Sequence, residues 1–487
     1  MSQPDLKSEV TSGILWSGAG RVVQQVVQFG LSVVMARLLS PGDYGLMAMV
    51  MVFTGFAGML ADAGFNAALV QRQDLKEIHI HTVYWVTLSS GLLLAGLTFL
   101  ASPWLADFYH APVLESIFRV VAVNFVFGAL GNVPSAILQK GMRFQTLAKI
   151  EASSLLLSGL VGIGVAWSGA GLWSLVAQSV SAAMMTALFR CWSCKWIPKL
   201  VFSRAALKDI WGFSGNLYGF NFINYWARNA DNLMVGKFFG AAPLGAYNRA
   251  YALMLLPITQ ISSVINQVVF PALASIQGDK ERVKRIYLRA IGTVTLLAFP
   301  MMFGLFVVAN PFVLTVYGPK WEEVTVLLQV LALVGAMQVL VNSTGWIFMS
   351  QGRTDVMLKW GAMFAIAAVI SFSIGIALGS VKAVAICYAI LNALYFYPAL
   401  AIGGRIIGMK VSEVLKVVSG SFYCSVAMAC ILMWIQVMLP HSWAPWHCLA
   451  TLTITGGGLY VSFICIFRIS PWILFLEMVQ EKSHNLN

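Results

Sequence analysis

Charge is scarce in this sequence. Lys, Arg, Asp and Glu together make up 10% of the 487 residues, whereas 59% are hydrophobic. An ordinary soluble chain is roughly a quarter charged, so the composition excludes a water-soluble globular protein. The acidic sign is the rarer one, with 19 Asp and Glu against 31 Lys and Arg. In a membrane protein this surplus marks the face with anionic headgroups, and no nucleic acid is expected as a partner.

Catalytic and cofactor motifs are also lacking. The sequence contains no phosphate loop of the form GxxxxGK[ST], no HExxH and no GxSxG. The seven cysteines are scattered, and the CxxC at Cys191 and Cys194 has no second pair. His79 and His81 have no third ligand nearby in the sequence. We therefore predict a protein that is not an enzyme, with no catalytic residues, no metal and no cofactor.

What the sequence does have is apolar runs along its whole length. Each run of about 20 residues is long enough to cross a bilayer as a helix. The sequence predicts an all-α polytopic membrane protein of about fourteen transmembrane helices. The predicted spans are residues 12–37, 44–68, 80–105, 114–138, 146–167, 172–193, 212–236, 246–270, 290–310, 324–349, 356–379, 383–403, 414–438 and 446–467.

The distribution of Lys and Arg predicts the orientation, because positively charged loops stay in the cytoplasm. With the N-terminus inside, and with residues near the span ends counted with the adjoining loops, 23 of the 31 basic residues lie on the cytoplasmic side and six on the outer side. The other two, Arg21 and Arg228, lie deeper within spans. Both termini are therefore predicted to be cytoplasmic.

The two halves of the chain resemble each other. The segment around Arg37, followed by Gly45, matches the segment around Lys237, followed by Gly245, at an offset of 200 residues. Six spans separate equivalent points, so the two copies have the same orientation in the membrane. The predicted domains are a six-helix bundle at residues 1–203, a second bundle at 204–404, and two additional helices with a tail at 405–487.

Polar side chains recur on one face of the first helix of each predicted bundle. Intramembrane polar residues are costly, and their default interpretation is functional. Two such stripes, related by the repeat, are predicted to line a hydrophilic cavity between the bundles. The alternatives are that each group bonds only to a neighbouring helix, and that Arg228 and Asp231 neutralise each other across one turn. The predicted substrate-binding residues are Arg21, Gln24 and Gln28 of the first stripe and Asn221, Asn224, Arg228, Asp231 and Asn232 of the second stripe.

Aromatic residues accompany the second stripe. Tyr218, Tyr225 and Trp226 lie among its amides, and aromatic rings beside hydrogen-bonding groups suit sugars. Ordinary lipid-facing aromatic residues are an equally good explanation of each. Two carboxylates in the spans, Asp62 and Asp231, are candidates for ion coupling.

Four segments carry a resemblance to a known family. They are residues 37–45 (RLLSPGDYG), 62–66 (DAGFN), 139–144 (QKGMRF) and 228–233 (RNADNL). They resemble the polysaccharide transporter branch of the multidrug/oligosaccharidyl-lipid/polysaccharide flippase superfamily, and colanic-acid-type exporters in particular. The resemblance implies two six-helix bundles around a central cavity.

The resemblance also implies a function. Such proteins lie in the bacterial inner membrane and move a polyprenyl-diphosphate-linked oligosaccharide to the outer face, for exopolysaccharide, capsule or O-antigen assembly. A polysaccharide polymerase and a chain-length regulator are the partners it suggests. Two other functions stay open: an ion-coupled drug or metabolite antiporter of the same superfamily, and a polysaccharide-assembly protein that does not transport.

Overall fold

The described part of the chain is helical. The computed structural model describes residues 24–62, 65–71, 74–440 and 442–467, without the side chains of residues 60–62, 67, 71, 209–224, 227 and 262–268. Over these ranges the structure contains helices and no strand. The helices are α1 (24–38), α2 (Pro41–Asp62), α3 (Phe65–Gln71), α4 (Glu77–Phe108), α5 (Val113–Val121), α6 (Val123–Lys140), α7 (Phe144–Trp167), α8 (Leu172–Cys194), α9 (Arg204–Phe239), α10 (Ala241–Ser275), α11 (Lys280–Val316), α12 (Glu323–Ser350), α13 (Thr354–Ala377), α14 (Val381–Ile406), α15 (Val411–Met438) and α16 (Pro445–Ile466).

The predicted fold class, an all-α membrane protein, is confirmed. Among the described residues, eleven helical segments are long and apolar enough to cross a membrane. Every predicted span overlaps a helix, but those at 12–37, 212–236 and 246–270 are not among the eleven. Part of each of these three ranges lies outside the described side chains. The count of fourteen spans stays a prediction.

Several helix ends are fixed by short polar side chains or by glycine. The hydroxyl of Ser203 accepts a hydrogen bond from the Ala206 amide at the start of α9, and Ser380 does the same for α14. These caps satisfy backbone N–H groups that have no partner within the helix. At the other end of α9, Gly240 has φ +83°, a left-handed conformation that glycine adopts readily.

The predicted span at 114–138 is two helices. The two helices, α5 and α6, meet at the single residue Ala122. Pro134, Pro257 and Pro300 all lie inside continuous helices.

The chain forms two compact units, residues 1–245 and 246–487. In the first unit α8 packs along α6 and α7, and α6 packs along α4. The helix α9 also belongs to this unit and lies against α2, α3 and α4. This division by packing differs from the division by sequence repeat, which placed a boundary at residue 204. The repeat-based domains stay a prediction.

The second unit is built around α11. This helix packs against α12 on one side and against α15 and α16 on another. The buried Tyr460 hydroxyl of α16 donates to the Leu296 carbonyl oxygen of α11 at 2.8 Å. The ring of Phe422 on α15 lies 6.0 Å from Phe299 and 5.6 Å from Phe303, measured between ring centroids. The two helices after the repeat are therefore firmly attached to α11.

Candidate functional site

The first predicted stripe lies only partly within the described residues. Gln24 is half-buried and Gln28 is exposed on α1. Arg21 lies outside the described residues.

The second stripe is described from residue 225 onward. Arg228 is exposed, Asn232 is half-buried, and Asp231 is buried with 4% of its surface accessible. The Asp231 Oδ1 atom accepts a hydrogen bond from the backbone N–H of Asn232 at 2.7 Å. Arg228 and Asp231 are thus three residues apart but in different surroundings. The charged end of Arg228 is accessible, whereas the Asp231 carboxylate is held within the protein.

Three other predicted residues lie outside the described side chains: Asn221 and Asn224 on α9, and Asp62 at the end of α2. Convergence of the two stripes on one cavity therefore stays a prediction.

Sequence reasoning missed the role of the Tyr225 hydroxyl, which joins α9 to α2. It donates to the Val52 carbonyl oxygen at 2.6 Å and lies 3.3 Å from the Met51 carbonyl oxygen. Gly55 gives it room, since a side-chain carbon there would lie 2.6 Å from the Tyr225 hydroxyl. A backbone carbonyl is invisible as a partner in the sequence, so the only available signal was a Tyr beside the polar stripe.

Aromatic rings surround this contact. Trp226 lies 5.0 Å from Phe56 and 6.5 Å from Phe53, and Tyr225 lies 5.8 Å from Phe56, all between ring centroids. Tyr225 and Trp226 are half-buried, so each presents part of its ring outside the cluster. Two of the three predicted aromatic residues therefore pack against α2, within one turn of Arg228 along α9.

At their first turns, α2 and α10 cross with their backbones in contact. A side-chain carbon on Gly45 would lie 1.7 Å from the Ala241 carbonyl oxygen, and one on Gly245 would lie 1.9 Å from the Pro41 carbonyl oxygen. The two contacts are reciprocal, and each pair of equivalent positions is 200 residues apart. We call these four residues the glycine crossing. Only glycine permits so close an approach.

Near the glycine crossing, Lys237 ties the end of α9 to the end of α4. Its ammonium group donates to the Phe108 carbonyl oxygen, lies 3.2 Å from the His110 Nε2 atom, and stands 4.7 Å above the Phe108 ring. The glycine crossing and this contact together close the first unit at the end where α2 begins and α4 ends.

The family follows from comparison with known proteins. The sequence pattern of a family described as "Polysaccharide biosynthesis protein" matches residues 34–326, more than half of the chain. The chain belongs to this family. The matched region includes all four segments that carry the sequence resemblance, and the predicted family is confirmed.

Two individual relatives match most of the chain. The chain is 28% identical to the teichuronic acid biosynthesis protein TuaB of Bacillus subtilis (strain 168), over 95% of this chain and 96% of that one. It is 29% identical to the lipopolysaccharide biosynthesis protein WzxC of Escherichia coli (strain K12), over 73% of each.

A solved structure supports the fold. The lipid II flippase MurJ, in an inward closed conformation, superposes with a TM-score of 0.75 and 13% identity, over 93% of this chain and 98% of that one. At this identity the likeness concerns the fold alone. This polysaccharide biosynthesis protein is therefore a multi-pass membrane protein with a flippase-type helical fold.

Proposed function

We propose that the protein moves polyprenyl-diphosphate-linked oligosaccharide repeat units across the bacterial inner membrane, for assembly of exopolysaccharide, capsule or O antigen. Both termini lie in the cytoplasm. The glycan and diphosphate cross through a polar cavity while the polyprenyl tail stays in lipid. A polysaccharide polymerase and a chain-length regulator are candidate partners on the outer side.

The observation that carries this proposal is the chemistry of α9. Within one turn of this helix lie the exposed residue Arg228 and the half-buried rings of Tyr225 and Trp226. A planar guanidinium binds a diphosphate with two parallel hydrogen bonds, and aromatic rings stack on the apolar faces of sugars. These are the two recognition elements that a diphosphate-linked glycan requires. Membership of a polysaccharide biosynthesis family supports the same substrate class.

The glycine crossing supports a mechanism of alternating access. It brings the first turns of α2 and α10 into backbone contact at one end. We infer that it seals the outer end of the pathway and that separating the two turns opens this end.

Replacing Arg228 by Ala tests the proposal. We expect loss of glycan export at normal protein level, with lipid-linked repeat units accumulating in the membrane. Arg228→Lys keeps the charge but loses the paired donors, so we expect partial export. The matched control is Arg353→Ala, because Arg353 is also exposed and pairs with the nearby Asp355. Full export by the Arg228→Ala variant would remove Arg228 from the mechanism.

One observation favours a second candidate, an ion-coupled antiporter. Asp231 is a buried carboxylate within α9, and buried carboxylates in transporters often carry coupling ions. Proton- or sodium-dependent dye efflux that disappears in Asp231→Asn, together with normal glycan export in Arg228→Ala, would favour the antiporter. Flipping of a labelled lipid-linked glycan by purified protein in vesicles would exclude an assembly protein that does not transport.

A further inference from the structure

The segment at residues 195–203, which joins α8 to α9, exposes large apolar side chains. We call it the strap. Leu200 is 88% exposed, Ile197 is 78% exposed, and Phe202 is also exposed. Side chains of this size are not normally left in water beside a helix end, and together they form an apolar surface.

The strap is held in this orientation by side chains of α4. The Lys199 amide donates to the His81 Nδ1 atom at 3.1 Å, and the Trp85 indole Nε1 donates to the Lys199 carbonyl oxygen at 2.8 Å. The Ser203 amide donates to the Thr82 hydroxyl at 3.1 Å. These three bonds join residues more than 110 positions apart in the chain.

The anchor points on α4 are buried. His81 and Thr82 have 3% and 0% of their surface accessible, and the His81 ring stacks on Trp196 with centroids 5.1 Å apart. Because Nδ1 of His81 accepts, its proton is on Nε2. The backbone of the strap therefore faces α4, and the side chains of Leu200 and Ile197 are directed outward as a result of this pairing.

Positive charge lies beside the apolar surface. Lys195, Lys199, Arg204 and Lys208 are all exposed within or next to the strap. The Glu77 carboxylate lies 3.5 Å from the Lys199 ammonium, and this ion pair is mostly exposed to solvent. Such a pair contributes little and is readily exchanged for another anion.

The position of the strap at helix ends also suits the headgroup layer of a membrane. It connects the end of α8 to the start of α9 and packs against the first turns of α4. These helix ends are where membrane spans leave the hydrocarbon layer, and apolar side chains mixed with lysines are typical of segments lying in the headgroup layer.

We propose that the strap is a docking surface for the anionic phospholipid headgroups of the leaflet in which α4 and α9 begin. Its apolar side chains enter the boundary of the acyl region, and Lys195 and Lys199 bind the headgroup phosphates. Docking fixes the start of α9, the helix that carries Arg228. The surface acts on bulk lipid and is independent of the transported substrate.

Cysteine modification in nanodiscs tests this proposal. The seven native cysteines are first replaced by Ser or Ala, and Leu200→Cys is introduced as the reporter. Its rate of reaction with a charged maleimide is measured in nanodiscs of phosphatidylcholine alone and with about a third phosphatidylglycerol. Each Lys near an anionic surface strengthens binding by roughly fivefold. We expect modification to slow by about tenfold or more with the anionic lipid, and by less than twofold in Lys195→Gln/Lys199→Gln.

Two controls make the result specific. Ser168→Cys, in the exposed turn between α7 and α8, should react at the same rate in both lipids. His81→Phe keeps the ring stacked on Trp196 but removes the acceptor, and should raise the Leu200→Cys rate in both lipids while leaving the lysines in place.

Other outcomes would overturn the proposal. Equal rates in the two lipids would show that the strap does not recognise anionic headgroups. Slowing that persists without Lys195 and Lys199 would show that their charges play no part. Protection that depends on protein concentration rather than lipid would assign the surface to a second copy of the chain.

Discussion

Replacing Gly45 by Ala should destabilise the protein, because the glycine crossing has no space for a side chain. The added carbon would lie 1.7 Å from the Ala241 carbonyl oxygen, whereas such carbons essentially never come within 3.0 Å of another heavy atom. The two helices must therefore separate by about 1.3 Å (3.0 minus 1.7). Neither atom belongs to a flexible side chain, so no change of rotamer can relieve the overlap.

The expected cost follows from this geometry. Forcing extra atoms into a packed contact costs roughly 1–3 kcal/mol. Gly245→Ala should cost a similar amount, because its new carbon would lie 1.9 Å from the Pro41 carbonyl oxygen. The double variant should cost less than the sum of the two, since separation caused by one substitution makes room for the other.

The measurement is the thermal unfolding of purified variants in detergent, together with glycan export in cells. Gly96→Ala is the matched control, because Gly96 lies on an exposed face of α4 with nothing within 4 Å. That change should be neutral or stabilising by up to about 1 kcal/mol. If Gly45→Ala unfolds at the same temperature as Gly96→Ala and exports normally, the close approach of α2 and α10 is refuted. Strictly additive losses in the double variant would refute the reciprocity.

Three further substitutions test contacts between helices. Tyr225→Phe removes the donor to the Val52 carbonyl oxygen and should lower the unfolding free energy by about 1 kcal/mol; an unchanged melting temperature would show that this hydroxyl does not hold α9 to α2. Tyr460→Phe removes the buried bond between α16 and α11, and should lower stability by a similar amount of about 1 kcal/mol with normal export, whereas lost export would give α16 a direct role. Lys284→Glu breaks the 2.6 Å ion pair with Glu413 and should lower the melting temperature slightly. Exchanging the two residues, as Lys284→Glu with Glu413→Lys, should restore the melting temperature. A double variant as unstable as the single one would show that the surroundings of the two residues, and not their pairing, set the stability.

Much of the fold could be predicted from the sequence because the bilayer imposes it. The span predicted at 324–349 is the helix Glu323–Ser350, and the span predicted at 414–438 is the helix Val411–Met438. A long apolar run has to be helical in lipid, and its length sets its ends. The helix Lys280–Val316 is longer than the predicted 290–310, because its charged first turns continue outside the hydrocarbon layer, where hydropathy gives no signal.

The contacts of the candidate site could not be predicted in the same way. Tyr225 and Val52 are 173 positions apart, and their bond uses a carbonyl group that every residue has. Gly45 and Gly245 could be matched as equivalents in the repeat, but equivalence does not imply that each lies against the other's helix. The boundary between α5 and α6 at Ala122 likewise has no proline or glycine that would predict it. Such features depend on how helices meet, which composition and periodicity do not determine.

The attachment of α15 and α16 to α11 limits where a polyprenyl tail could pass. Phe422 of α15 covers Phe299, and Tyr460 of α16 reaches Leu296, so this side of α11 is shielded from the surrounding bilayer. A hydrocarbon chain trailing outside the protein cannot slide between α11 and these two helices without unpacking them. If the tail travels in the bilayer as proposed, it passes the protein along a part of the perimeter other than this side of α11.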